Sequence, residues 1–427
     1  MTVAISRLEN GLIIATDPMP NLESAAIGIW VGCGARHESK AEMGLSHMLE
    51  HMAFKGTERR SAKQIATEIE AVGGEINAYT AREQTAFHAR VLKGDVNLAL
   101  DILADIIVHP AFDEGELERE REVIIQEIGQ ARDTPDDLVF DCLQEACYPG
   151  QPMGWPIFGS EQSVASFSRG DLFSYLRSNY LGGTMMLIAS GAVDHARLVD
   201  EGARLLSSLP ASTGRVPVPA YYKGSEILEH DAELEQAHLA FAFEGFPVAD
   251  KDAVTAQVFV TALGGGMSSR LFQEARERRG LCYAINAFSQ SHKDSGTIAI
   301  YAGTSEANAA EIPAVIANEI EAMAAGATEE ETARARAQLK ASLLMALESP
   351  AARCELIAGQ LSAYGRVLTM PEIAARVDAV DAAALRSFAG NLSERGDPSI
   401  AAVGPLRRLE SREAFARRFG RLSVAAQ

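Results

Sequence analysis

Basic residues are the scarce charge in this sequence: 39 Lys and Arg face 58 Asp and Glu, a formal net charge of −19. A nucleic-acid binder needs a basic face to neutralise phosphates, so that class is set aside. The same acidity suits a basic peptide, and it also serves solubility. Cysteine is sparse as well. The five are Cys33, Cys142, Cys147, Cys282 and Cys354, an odd number with no C-x-x-C spacing. That argues against a disulfide framework or a cysteine metal site and fits a reducing compartment. No apolar run is long enough for a membrane span. The opening stretch, MTVAISRLENGLIIATDPMP, lacks a basic segment followed by a long apolar one. It reads as a strand, an Asn10-Gly11 turn and a second strand rather than a signal peptide. A cytoplasmic location with no membrane partner is the expectation.

What is present reads as globular. Apolar residues make up 47% and charged residues 23% of 427 positions, enough for two domains. Laid on itself at an offset of 213, the chain shows two halves of similar pattern. AAIGIWVG (25–32) falls on HLAFAFEG (238–245), and LIASGAV (187–193) falls on IAAVGPL (400–406). Gly32 then meets Gly245, and Gly191 meets Gly404. Identity between these landmarks is low, but their order repeats, which indicates an internal duplication.

Within the first half the periodicity changes repeatedly. Residues 39–55 and 62–72 have helical spacing, and 73–92 alternate like two strands around a turn. Residues 95–110 form a helix closed by Pro110. Residues 112–133 form a long helix with acidic residues at its start, favourable for the dipole. Further helices fall near 136–147 and 170–179. Strands and helices are mixed without strict βαβ alternation, so an α+β layered domain, occurring twice, is predicted. The Ser- and Pro-rich stretch 207–223 reads as the linker. The expected domains are 1–206 and 224–427.

The segment HMLEH (47–51) carries the chemistry. His47 and His51 are one helical turn apart, so both imidazoles project from one face and can share a zinc ion. Glu50 borders that face, placed to take a proton from water. This is H-E-x-x-H read in reverse, the inverzincin signature. A chance occurrence in a chain this long is on the order of one in a hundred at ordinary residue frequencies. The apolar neighbours Leu45, Met48, Leu49, Met52 and Phe54 argue against a plain solvated face, because charges among them need a partner. A third protein ligand is still required. The helix 112–133 offers Glu120 and Glu127, seven residues apart on one face, but also Glu114, Glu116, Glu118 and Glu122. Spacing alone does not choose among them.

HMLEHMAFKGT (47–57), GGEINAYTARE (73–83), EREREVIIQE (118–127) and SSRLFQEARERRGLCYAI (268–285) together resemble the pitrilysin-type metallopeptidases. The likeness is to the branch holding the catalytic subunit of the mitochondrial processing peptidase and its bacterial relatives, and it spans both halves in order. It implies one zinc ion per chain, held by His47, His51 and Glu127. Glu120 is implied as a carboxylate that orients a histidine ligand. Asn77 and Ala78 are implied to lie on an edge strand to which a peptide substrate adds. Arg276 and Tyr283 are implied to hold substrate and stabilise an oxyanion. Phe54 is implied to line the pocket after the scissile bond, and Asp137 and Asp141 to hold an arginine before it. Two homologous sandwich domains closing like a clamshell around a chamber are the implied architecture.

The second half lacks the zinc set, since Val260, Leu263 and Gly264 fall where His47, Glu50 and His51 lie in the first. The glycine run LGGGMSSR (263–270) resembles a loop of the same family and is no phosphate loop, because no Gly-Lys-Ser/Thr follows. The expected activity is a zinc endopeptidase acting on short or unfolded, basic peptides with Glu50 as general base. The rivals are a non-catalytic scaffold of the same fold and a metal hydrolase of another substrate class. A homodimer, or a heterodimer with an inactive homologue, is the expected assembly.

Overall fold

The computed structural model describes residues 2–420. These divide into two compact units, the first formed by residues up to 129, 155–218 and 344–369 and the second by 130–154, 219–343 and those from 370 on.

The first unit is built on a six-stranded sheet. Its strands are β1 (Ala4–Arg7), β2 (Ile13–Pro18), β3 (Ser24–Val31), β4 (Glu75–Thr80), β5 (Thr85–Leu92) and β6 (Met185–Gly191), in the order β1-β2-β6-β3-β5-β4. Only β2 and β6 pair in parallel. The central strand β3 is buried on both faces, which is why it reads as a nearly continuous apolar run. Ile27, Ile29 and Val31 face one layer of helices. These include α1 (Leu45–Ala53), α2 (Ala62–Glu70), α3 (Val96–Val108) and α4 (Glu114–Arg132). Ala26 and Trp30 face the other side, where Cys354, Ile357, Ala358 and Leu361 of the helix Pro350–Tyr364 cover them.

Local signals set the helix ends. Ser61 and Gln64 form a capping box at α2. The Asp113 carboxylate accepts from the Gly115 and Glu116 amides at the start of α4. Pro135 opens the next helix, α5 (Pro135–Cys147), at a position that needs no amide hydrogen. The expected helix over 39–55 is shorter than its pattern: residues 40–42 form a single 3-10 turn, and α1 starts at Leu45.

The second unit repeats the plan with five strands, β7 (Glu226–His230), β8 (Ala237–Glu244), β9 (Cys282–Ser291), β10 (Gly296–Thr304) and β11 (Ser399–Gly404), ordered β7-β11-β8-β10-β9. Again only one pair, β7 and β11, is parallel. β3 and β8 share the offset of 213 read from the sequence, residue for residue. Gly191 and Gly404 end equivalent strands at φ +104° and +119°. A Cβ at either would lie within 2.5 Å of a backbone oxygen, so both are confined to glycine by conformation and by space.

The units depart from the sequence boundaries 1–206 and 224–427 at two segments. α5, from the first half of the chain, covers the second sheet, with Val139, Leu143 and Cys147 against Ala240, Ala242, Ala401 and Val403. The helix Pro350–Tyr364, from the second half, covers the first sheet. Composition marks no boundary at either, because each is an ordinary amphipathic helix whose partner sheet only the fold reveals. Residues 207–225 carry no regular structure. None of the five cysteines is in a disulfide, and all are buried. Among the described residues no helix is long and apolar enough to cross a membrane.

Candidate metal centre

The chain enters α1 through Gly44, at φ +94°, where a Cβ would lie 2.7 Å from the Phe158 carbonyl oxygen. The first amides of a helix have no acceptor within it. Glu38 supplies one: its Oε2 accepts from the Gly44 amide at 2.8 Å and its Oε1 from the Ser46 amide at 2.7 Å. Burial pushes the Glu38 carboxyl up to about 8, against the downward pull of the Ser46 and Gly44 amides. The Ser46 hydroxyl is tied in turn to the Tyr175 hydroxyl at 2.6 Å.

On this anchored helix the His47 and His51 rings lie 4.5 Å apart. Glu127 of α4 faces both, its Oε2 3.8 Å from His47 Nε2 and 3.5 Å from His51 Nε2. One ligand atom from each of the three lies within 4.8 Å of the others. Ligands about 2.1 Å from a tetrahedral ion sit about 3.4 Å apart, so the group is close to the spacing zinc requires. The other α4 glutamates are placed differently. Glu114, Glu118 and Glu122 are exposed, and Glu116 pairs with Arg119. Glu120 is buried, with its Oε2 3.0 Å from His51 Nδ1 and its Oε1 2.6 Å from Lys55 Nζ. With Nδ1–H donating to Glu120, the His51 Nε2 lone pair is left toward Glu127.

The donor set fits a divalent cation. Glu127 Oε2, the atom that faces both imidazoles, is a buried polar atom without a hydrogen-bond partner. Burial, with a smaller contribution from His51, pushes His47 down to about 3, which keeps the imidazole neutral as a ligand must be. The Phe158 ring lies 4.7 Å from that of His47. Glu50 sits beside the group, and its Oε2 accepts from Thr80 Oγ1 at 2.6 Å. Burial raises the Glu50 carboxyl, with the Thr80 bond acting in the opposite direction.

Thr80 is the last residue of β4, the edge strand of the sheet. Asn77 and Ala78 lie on the same strand, and the Ala78 amide donates to Asn77 Oδ1 at 2.8 Å. That local bond occupies the Ala78 amide. Phe54 caps the C-terminus of α1, its ring 6.2 Å from that of Phe87.

The remaining positions named from the sequence belong to the second unit. The Arg276 guanidinium lies 4.7 Å from the Phe272 ring centroid and 4.8 Å from that of Tyr283, which is 78% exposed. Arg276 is on a π-helical stretch, Phe272–Arg278, a rare geometry that is frequent at functional sites. Asp137 and Asp141 are one turn apart on α5, the first exposed and the second half-buried. Val260 and Leu263, at the offset positions of His47 and Glu50, are buried core residues on the helix Asp252–Gly264. Gly264 packs so closely that a Cβ would lie 2.6 Å from the Ala287 nitrogen. The glycine run continues from this helix end as a turn toward residue 270.

Sequence reasoning missed Glu38, Lys55, Thr80 and Phe158. The alternation of Ile76, Ala78 and Thr80 in β4 could have pointed to Thr80. Glu38 and Phe158 reach the site through irregular loops, which leave no period to read.

Residues 13–161 match the model of insulinase, peptidase family M16, and residues 166–339 match the M16 inactive domain. The chain belongs to peptidase family M16. It is 41% identical over 371 residues to an uncharacterized zinc protease of Rickettsia felis, covering 86% of this chain and 90% of that protein. It is 36% identical over 427 residues to a probable mitochondrial-processing peptidase subunit beta of Arabidopsis thaliana, covering 97% and 80%. An uncharacterized zinc protease of Bacillus subtilis is 35% identical over 93% of this chain and 97% of its own. In structure the chain resembles a chain of complex III from Candida albicans, with a TM-score of 0.87 at 20% identity over 97% and 99% of the two chains. That likeness concerns the fold. The inactive-domain match covers Val260, Leu263 and Gly264, which stand at the offset positions of His47, Glu50 and His51.

Proposed function

We propose that this protein is a zinc-dependent endopeptidase whose metal is held by His47, His51 and Glu127, with Glu50 as general base. The convergence of those three ligands beside a partly buried carboxylate carries the reading. When bound, zinc supplies a Lewis acid that polarises a carbonyl and brings the pKa of water to about 7. Glu50 takes the proton from the attacking water and passes it to the leaving amine, a role served by a carboxylate whose burial makes it more basic. Glu120 fixes the His51 tautomer. β4, the edge strand, receives an extended peptide at Asn77 and Ala78, whose main chain then sets the register of cleavage.

The substrate class we propose is a short or unfolded peptide with basic residues, in keeping with the net charge of −19. Roles for Phe54, Asp137, Asp141, Arg276 and Tyr283 in holding that peptide rest on the family resemblance. The assembly we propose is a dimer, with itself or with an inactive homologue, which a solution mass measurement tests.

The likeness to a complex III chain favours one other reading, a scaffold without activity. One experiment separates the two: digestion of diverse peptides by the wild type and by Glu50→Gln, with bound metal measured in both. Zinc in both proteins and cleavage only by the wild type supports the peptidase. Absence of zinc and of cleavage in the wild type supports the scaffold.

A further inference from the structure

We propose that Thr80 is a positioning residue that aims Glu50, so that the strand offered to substrate also sets the place of the base. The inference rests on the reading of Glu50 as general base.

Side chains alternate along β4. Ile76 and Ala78 pack on the core that contains α1, and Thr80 points to the same side and reaches Glu50. Tyr79 points to the opposite side, where its hydroxyl bonds Glu355 at 2.8 Å and accepts from Gln84 at 2.8 Å. The strand end is therefore held from both faces. Thr80 also pairs in register with Thr85, a residue 1% exposed whose hydroxyl donates to the Cys33 carbonyl at 3.0 Å.

The Thr80 hydroxyl has one proton, and it goes to Glu50 Oε2 at 2.6 Å, the length of a charge-assisted bond. A β-branched side chain on an anchored strand has little freedom at χ1, so the donor is fixed in space. A glutamate has several rotatable bonds and would otherwise lose more entropy in reaching one productive pose. With Oε2 held, Oε1 remains as the oxygen available to a water proton. Because Thr80 lies two residues beyond Ala78, a peptide paired to this edge and the Glu50 carboxylate are referenced to the same backbone.

The test compares Thr80→Val, which keeps the shape and loses the donor, with Thr80→Ser, which keeps the donor and loses a methyl. Glu50→Gln serves as reference, and kcat, KM and bound zinc are measured with one cleaved peptide. We expect Thr80→Val to retain zinc and KM while kcat falls about 10–100-fold, the order of loss that misplacement of a reacting group by about 1 Å produces. Thr80→Ser should recover most of that loss. Equal loss in both variants, loss of zinc in step with kcat, or a wild-type kcat in Thr80→Val would overturn the role. If Glu50→Gln itself cleaves like the wild type, the general-base reading fails. If Glu50→Gln is inactive while Thr80→Val is not, only the Thr80 role fails.

Discussion

His51 Nδ1 lies 3.0 Å from Glu120 Oε2, and the other oxygen of that carboxylate holds Lys55 Nζ at 2.6 Å. A histidine proposed as a zinc ligand is thus oriented by a buried carboxylate that also pairs with a lysine from the residues just after α1. Glu120→Gln should lower zinc affinity by about 10–100-fold, the usual cost of losing such a support. Competition with a chelator of known affinity measures it, and an unchanged affinity would remove Glu120 from the metal centre.

Glu127→Gln and His47→Ala each delete one of the three proposed ligands. Zinc content should fall from one per chain to a small fraction, and peptide cleavage with it. In the wild type a chelator should abolish cleavage and added zinc restore it. A variant that binds zinc as tightly as the wild type would displace that residue from the ligand set.

Glu38 anchors the amides of Gly44 and Ser46. Glu38→Ala leaves two buried amides without an acceptor, at about 1–3 kcal/mol each, so the unfolding midpoint should drop measurably. The carboxyl also gives a pH signature. Its folded value, about 8, lies above the ordinary 4.5, so between those values the folded protein binds more protons than the unfolded chain. Stability from this group therefore falls as pH rises through that window. Denaturant titrations of the wild type against Glu38→Gln should show the wild type losing ground from pH 4.5 towards 8, and parallel curves would refute the shift.

Asp137→Asn and Asp141→Asn should weaken cleavage beside arginine by about 2–5-fold each, a modest effect suited to solvent-accessible charges. Matched peptides carrying arginine or citrulline before the scissile bond report it. Equal loss on both peptides would mean that the aspartates do not read the arginine.

Tyr283→Phe removes one hydroxyl from an exposed ring that stays packed on Arg276. If the hydroxyl stabilises the oxyanion, kcat falls by about 10²-fold with zinc content unchanged. A wild-type kcat would leave Tyr283 with a packing role only.

The parts of this protein that follow a period were legible in the sequence. The histidine pair, the strand β3, the offset of 213 and the long acidic helix are all matters of spacing along one element. The choice of Glu127 among six glutamates was not legible from periodicity, because it depends on which face of α4 meets α1; the family pattern supplied it. Glu38 could not be read at all, since a loop carries it to the helix start. The destinations of α5 and of the helix Pro350–Tyr364 were equally hidden. An amphipathic helix announces that it will cover something, but not which sheet.

That crossed placement of helices bears on how the chain comes to be folded. The first sheet is synthesised early, yet the apolar face formed by Ala26, Trp30, Met186 and Ile188 waits for Ile357 and Ala358, which the ribosome adds much later. α5 is made early and waits for β8 and β11. Severing the polypeptide in the stretch 207–223 would therefore yield two fragments, each with a sheet bare on one side and a helix without its seat.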